Sequence, residues 1–192
     1  MKKYAVEIVG VTPYMQHRMD DGDLEKWEKS RGKIIERPDV SRDDLVRAEY
    51  HCYRDSKGKI IVPGEHLRQM MISAGAMHKS KVGNAKRSMK NIVAAMVFVT
   101  PDEIPFGQDF VIDKRSTVNQ NNKARVMVIR PKWTEWKLAF NIIVDNDTIT
   151  DSMIKDILES AGNYVGLGSF RPECSGMFGR FKVSKFSKVV EG

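Results

Sequence analysis

Lys59-Ile-Ile-Val-Pro63-Gly64-Glu-His-Leu-Arg68 places the end of a strand and the start of a helix within ten residues. The run Ile60, Ile61, Val62 is β-branched and suits an extended chain, and Pro63-Gly64 breaks it. Beyond the break, Leu67, Met70, Met71, Ala74 and His78 recur on one side of a helix, the spacing of a segment laid against a core. This strand, turn and helix unit decides how the flanking sequence is read.

Toward the N-terminus, Tyr4, Val6 and Ile8 alternate with Ala5, Glu7 and Val9, the period of a strand with one buried face, and Gly10 to Pro13 stops it. Residues 20 to 50 are charged and weakly periodic, so they read as an insertion with one short helix around Leu24 to Ser30. Toward the C-terminus, Ile92 to Thr100 reads as a central strand, and a looser basic region covers about 105–125, with Asn119-Gln120-Asn121-Asn122 at a loop tip. Arg125 to Arg130 and Trp133 to Val144 read as a hairpin turning at Pro131. Thr150 or Asp151 caps a second helix whose stripe is Met153, Ile154, Ile157, Leu158 and Ala161, and Gly162 fits the closing position. A last strand spans Arg180 to Phe186. The order strand, helix, strand, strand, helix, strand predicts an α+β, ferredoxin-like domain over 1–192: one antiparallel sheet with two helices, plus insertions.

The chain has 192 residues, enough to bury a core without staples, and 41% of them are hydrophobic. No apolar run approaches the roughly 20 residues of a membrane span, and no secretory leader pattern opens the chain, so no membrane association and a cytoplasmic location are expected. The two cysteines, Cys52 and Cys174, make no metal-ligand spacing and are expected to be free thiols. Neither a metal nor a cofactor is expected.

The net charge is +7. Between Asp20 and Glu49 ten acids face seven bases, a net of −3, which leaves +10 on the other residues. Segregated positive charge points to a polyanionic partner. It gathers in two acid-free tracts. One holds Lys79, Lys81, Lys86, Arg87 and Lys90; the other runs from Lys114 and Arg115 through Lys123 and Arg125 to Arg130 and Lys132. Trp136 falls on the alternating core face, while Trp133 is left open between the core and a base-stacking role.

The four histidines form no HxxxH or HExxH pair and no GxSxG elbow is present. His17 alone stands at a strand end beside Arg18, where a general base for RNA 2′-hydroxyl attack would be exposed, and it is the one weak catalytic candidate. Asp20, Asp21 and Asp23 lack the bidentate glutamate of a calcium loop and read as a solvated turn. In Gly166-Leu-Gly168-Ser-Phe-Arg171 the glycines permit close approach of another chain, and Arg171 and Arg180 are phosphate donors at its flanks. The lysine and hydroxyl ending of a nucleotide-binding loop is absent.

Three of these segments, in this order, resemble the RAMP superfamily of CRISPR-associated RNA-binding proteins, above all the backbone subunits that polymerise along guide RNA. Val6 to Pro13 is similar to its first strand and turn, Lys59 to Arg68 to its strand, Pro-Gly and helix element, and Gly166 to Arg171 with Gly176 to Val183 to its glycine-rich loop and last strand. Glu65-His66 stands where that element carries a Ser-Ser pair. The resemblance implies an RRM-related fold, a non-catalytic RNA- or single-stranded nucleic-acid-binding subunit of a multimeric ribonucleoprotein with a role in antiviral defence, a homo-oligomer or larger complex, and Arg68 at the basic position of the first helix. Two other readings stay open: a metal-independent endoribonuclease using His17, and a phage or mobile-element protein that mimics or inhibits a host nucleic-acid-binding complex.

Overall fold

The structure is a computed structural model that describes residues 1–18, 43–82, 85–118, 125–145 and 149–189. The Leu24 to Ser30 helix, Asp20, Asp21, Asp23, the Asn119 to Asn122 tip and Lys123 lie outside the described residues.

Six elements make the central unit: β1 (Lys2–Gly10), α2 (Gly64–Gly75), β6 (Val97–Thr100), β10 (Lys137–Val144), α4 (Asp151–Ser160) and β11 (Phe181–Val189). Their four strands form one antiparallel sheet in the order β11-β1-β10-β6. Taken along the chain that is strand order 4-1-3-2 with two crossover helices, the ferredoxin-like arrangement. Alternation does the sorting. Tyr4, Val6 and Ile8 and, across the register, Phe140, Ile142 and Val144 are buried and join one core with Leu67, Met71, Ala74, Ile154, Ile157 and Leu158 of the helices. Each such side chain contributes about 1.5–3 kcal/mol on leaving water. Pro63 precedes the first turn of α2, and Thr150 Oγ1 accepts from the Met153 amide at 3.3 Å to start α4.

Around this unit stand β2 (Tyr14–Met15), α1 (Asp44–Tyr50), β3 (Ile61–Pro63), β4 (Lys79–Val82), β5 (Ala85–Ser88), α3 (Lys90–Met96), β7 (Glu103–Pro105), β8 (Val111–Val118) and β9 (Arg125–Trp133). They pair as a three-stranded sheet β2-β9-β8 and two ribbons, β3-β7 and β4-β5. The ring of Tyr14 lies 5.7 Å from that of Trp133 and 5.3 Å from that of Trp136, joining the small sheet to the large one.

Several local expectations are corrected. Ile92 to Met96 is helical, and only Val97–Thr100 is strand, because Val93 is buried against Gly75 of α2, a contact that overrides β-branched preference. The expected hairpin does not form: β9 pairs back onto β8 and β2, while β10 joins the main sheet. Pro131 sits inside β9 opposite Ile112, and the connection falls after Trp133, since both indoles are buried and donate to backbone carbonyls, Trp133 to Gly107 and Trp136 to Thr12. No base-stacking tryptophan remains at either position. The region 105–125 contains strand β8, and the last turns of the expected insertion are helix α1, which buries Ala48. Past Ser160 the chain continues as a single π turn, Ala161–Val165, and Gly166 takes the left-handed dihedral (φ 75°) expected of Gly162. Gly162 serves packing instead, for a Cβ there would stand 2.4 Å from the Phe181 carbonyl oxygen. No helix among the described residues is long and apolar enough to cross a membrane.

Candidate nucleic-acid interface

Helix α2 has two working faces. Leu67, Met71 and Ala74 meet the sheet, so His66, Gln69 and Ser73, at spacings of three and four, meet the opposite side. There they wall a cleft of about 620 Å³ whose other wall is the glycine-rich loop, with Arg171 projecting from it, and whose end is closed by His17 and Tyr53.

The loop is a folded object laid on β2. The Ser169 amide donates to the Met15 carbonyl (2.9 Å) and the Gly179 amide to that of Pro13 (2.8 Å), while Leu167 donates to Gly179 and Phe178 to Phe170. Gly168 has φ 80°, and a Cβ there would lie 2.4 Å from the Met15 oxygen. Gly166 and Gly168 line the cleft, yet the close approach expected of them toward a foreign strand is made to the protein's own backbone. Arg171 braces the loop through Gly168 O (3.2 Å) and Glu173 (3.0 Å) and still faces the cleft.

Arg171 also acts on His66. Burial first, and the guanidinium charge second, hold this imidazole below the ordinary histidine range, against an upward pull from Glu65. The Tyr53 ring packs edge-on at 4.8 Å. His17 stacks on His51 at 4.4 Å, and its Nδ1 lies 3.0 Å from Arg130 Nε. A guanidinium only donates, so Nδ1 accepts and the ring's hydrogen resides on Nε2. As placed, the Nδ1 lone pair of His17 is engaged by Arg130.

Arg130 is largely buried and holds this corner together. Its guanidinium carbon lies 4.8 Å from the Phe170 ring centroid, and that of Arg115 lies 4.6 Å from the Phe178 centroid, so two β8-β9 cations grip two loop aromatics. Beneath them Asp113, buried, accepts a bidentate pair from Arg115 and a bond from Lys132 at 3.2 Å. Burial pushes its carboxyl up, and those cations outweigh that push, leaving it below its usual value.

The remaining basic residues are distributed unevenly. Lys79 and Lys81 stand on β4, Lys86 and Arg87 on β5, and Lys90 opens α3; of these, Lys79, Lys86, Arg87 and Lys90 are exposed. Lys114 is paired with Asp44 at 2.7 Å. Arg125 is exposed at the start of β9, and Arg180 is exposed just before β11. Arg68 is committed inward, donating to Ala94 O and Val97 O (3.3 Å), where it satisfies carbonyls at the end of α3. Among the described residues no group of three or more His, Cys, Asp or Glu stands where it would hold a metal ion.

No protein-family model matches the chain, and no curated protein does. Among solved structures it is similar to a chain in the cryo-EM structure of the type III-B Cmr-beta bound to cognate target RNA, with a TM-score of 0.58 and 14% identity. The match covers 98% of this chain and 60% of that one, so this chain spans less than two thirds of the neighbour's length. The likeness is one of fold. It extends over nearly the whole of this chain.

Sequence reasoning passed over His66, Tyr53 and Phe170. The polar spacing of His66, Gln69 and Ser73 opposite the apolar stripe was a usable signal for the first; nothing local announces the others, which matter through partners far along the chain.

Proposed function

We propose that the protein is a non-catalytic single-stranded RNA-binding subunit of a larger ribonucleoprotein, with the RNA backbone following the β4-β5 ribbon and the cleft between α2 and the glycine-rich loop. The observation that carries this reading is the ribbon. Its register sets Lys81 opposite Lys86 and Arg87 opposite Ser80, and neither ribbon strand contains an acid. The two strands carry Lys79, Lys81, Lys86 and Arg87 with no carboxylate among them, and a polyanion offsets the repulsion among such cations. In the cleft, Arg171 presents donors suited to phosphate. The fold shared with a chain of an RNA-bound assembly supports the same reading.

The engagement of His17 Nδ1 by Arg130 supports binding over cleavage. The test is to purify the full chain without nuclease and identify bound nucleic acid by its sensitivity to RNase and DNase, then to titrate a labelled oligouridylate across salt. Bound RNA and a log affinity that falls with log salt at about −0.7 per phosphate contact support the proposal. A salt-independent or undetectable interaction at low ionic strength overturns it.

A further inference from the structure

The main sheet carries its helices on one face only, and the pairing register lays out the other face as a grid. One row reads Val189, Lys3, Ile143, Phe98; the next Ser187, Ala5, Asn141, Thr100; then Lys185, Glu7, Ala139; and last Lys182, Val9, Lys137. None of these residues is buried. Small side chains floor the middle, and larger ones stand at both ends. Phe98 is 44% exposed on the edge strand β6, at the opposite end from Lys137 and Lys182. Six residues of strand separate the Ile143 row from the Lys137 row, about 20 Å at 3.3 Å per residue, the reach of three nucleotides of extended single strand.

Charge on this face is one-sided. Four lysines stand against one carboxylate, Glu7, and that carboxylate is already met by Lys185 at 3.6 Å. Phe98 is one of several exposed apolar side chains, and what sets it apart is its place on a sheet face that carries four lysines and a single, already paired carboxylate. A base has a face to stack on Phe98, the small floor lets a sugar-phosphate chain lie close, and Lys137 and Lys182 receive the phosphates that follow.

We propose that this open sheet face is a second single-stranded RNA surface, on the side of the sheet opposite the helices and the cleft, with Phe98 as its stacking residue and Lys137 and Lys182 as its phosphate contacts. It extends the RNA-binding reading above to a surface that reading does not use.

The experiment uses the full chain and a 4-thiouridine-substituted 20-nucleotide oligouridylate, with photo-crosslinks mapped by mass spectrometry and affinities measured across salt. The expected result is crosslinking at or beside Phe98 in addition to the cleft and ribbon. Lys137→Glu/Lys182→Glu should abolish the Phe98 crosslink and make the slope shallower by about 1.4, two contacts at 0.7 each. Phe98→Ala should lower affinity about tenfold, with Phe98→Tyr restoring it. The charge-matched control Lys57→Glu/Lys155→Glu should leave the crosslink in place, and melting curves should show all variants folded. Crosslinks confined to the cleft and ribbon overturn this proposal and leave the first reading standing. Crosslinks confined to the open face do the reverse. No binding to either overturns both. A wild-type dimer that the Lys137→Glu/Lys182→Glu variant dissociates, with RNA affinity unchanged, assigns the face to a second copy and overturns it as well.

Discussion

Arg130 and Phe170 are 40 residues apart in sequence and in cation–π contact, with the guanidinium carbon 4.8 Å from the ring centroid. The contact fastens the glycine-rich loop to the β8-β9 ribbon, and Phe170 holds its place with φ 57°, a backbone conformation that costs a bulky residue energy. The same guanidinium sets the hydrogen on His17. Phe170→Ala should therefore lower unfolding free energy by about 1–2 kcal/mol in denaturant titrations. Arg130→Lys should not substitute, since an ammonium lacks the planar group that both stacks on the ring and donates from Nε.

His66 links the cleft to pH. Its folded-state value is depressed, so as pH falls through about 6.5 the unfolded chain takes up the proton first. Stability should then decline below about pH 6.5 and level off once the pH passes below the folded-state value. In NMR titrations Arg171→Ala should move His66 toward the ordinary histidine range while burial keeps it below. RNA bound in the cleft should raise the same titration, and binding should strengthen as the pH is lowered through it.

Gly168→Ala should act on folding before it acts on binding. The Cβ meets the Met15 carbonyl oxygen at 2.4 Å and the φ of 80° is unfavourable for alanine, so a lower melting temperature is expected, by several degrees. An unchanged melting temperature would refute the account of the loop.

Asp113→Asn should lower unfolding free energy by about 1–2 kcal/mol, because it removes the charge shared by Arg115 and Lys132, both of which still reach solvent. The wild-type contribution has a defined pH window. The folded-state value lies below the unfolded one, so the stabilisation is present above about pH 4 and is lost as acid protonates the carboxyl. Denaturant titrations of both proteins between pH 2 and 7 should converge at the acid end.

Lys86→Ala/Arg87→Ala/Lys90→Ala should weaken RNA binding for all sequences alike and make the salt slope shallower by about 2, three contacts at 0.7 each. The three side chains are exposed, so the melting temperature should hold.

The alternation of Tyr4, Val6 and Ile8, the apolar stripes from Leu67 and from Ile154, the Thr150 cap and the segregated charge are properties of neighbouring residues, and periodicity fixes which side of a local element faces the core. These determined the element order and with it the ferredoxin-like fold. Partner choice is different in kind. Whether β9 pairs with β10 or with β8 depends on where two indoles are buried, and whether Ile92 to Met96 is strand or helix depends on Val93 finding Gly75. The site belongs to this second kind. His17 owes its tautomer to Arg130, 113 residues away, and the open sheet face exists only because four strands set their outward side chains in register. Those contacts are long-range, their free energy comes from burial and geometry that no short window contains, and only the tertiary structure decided them.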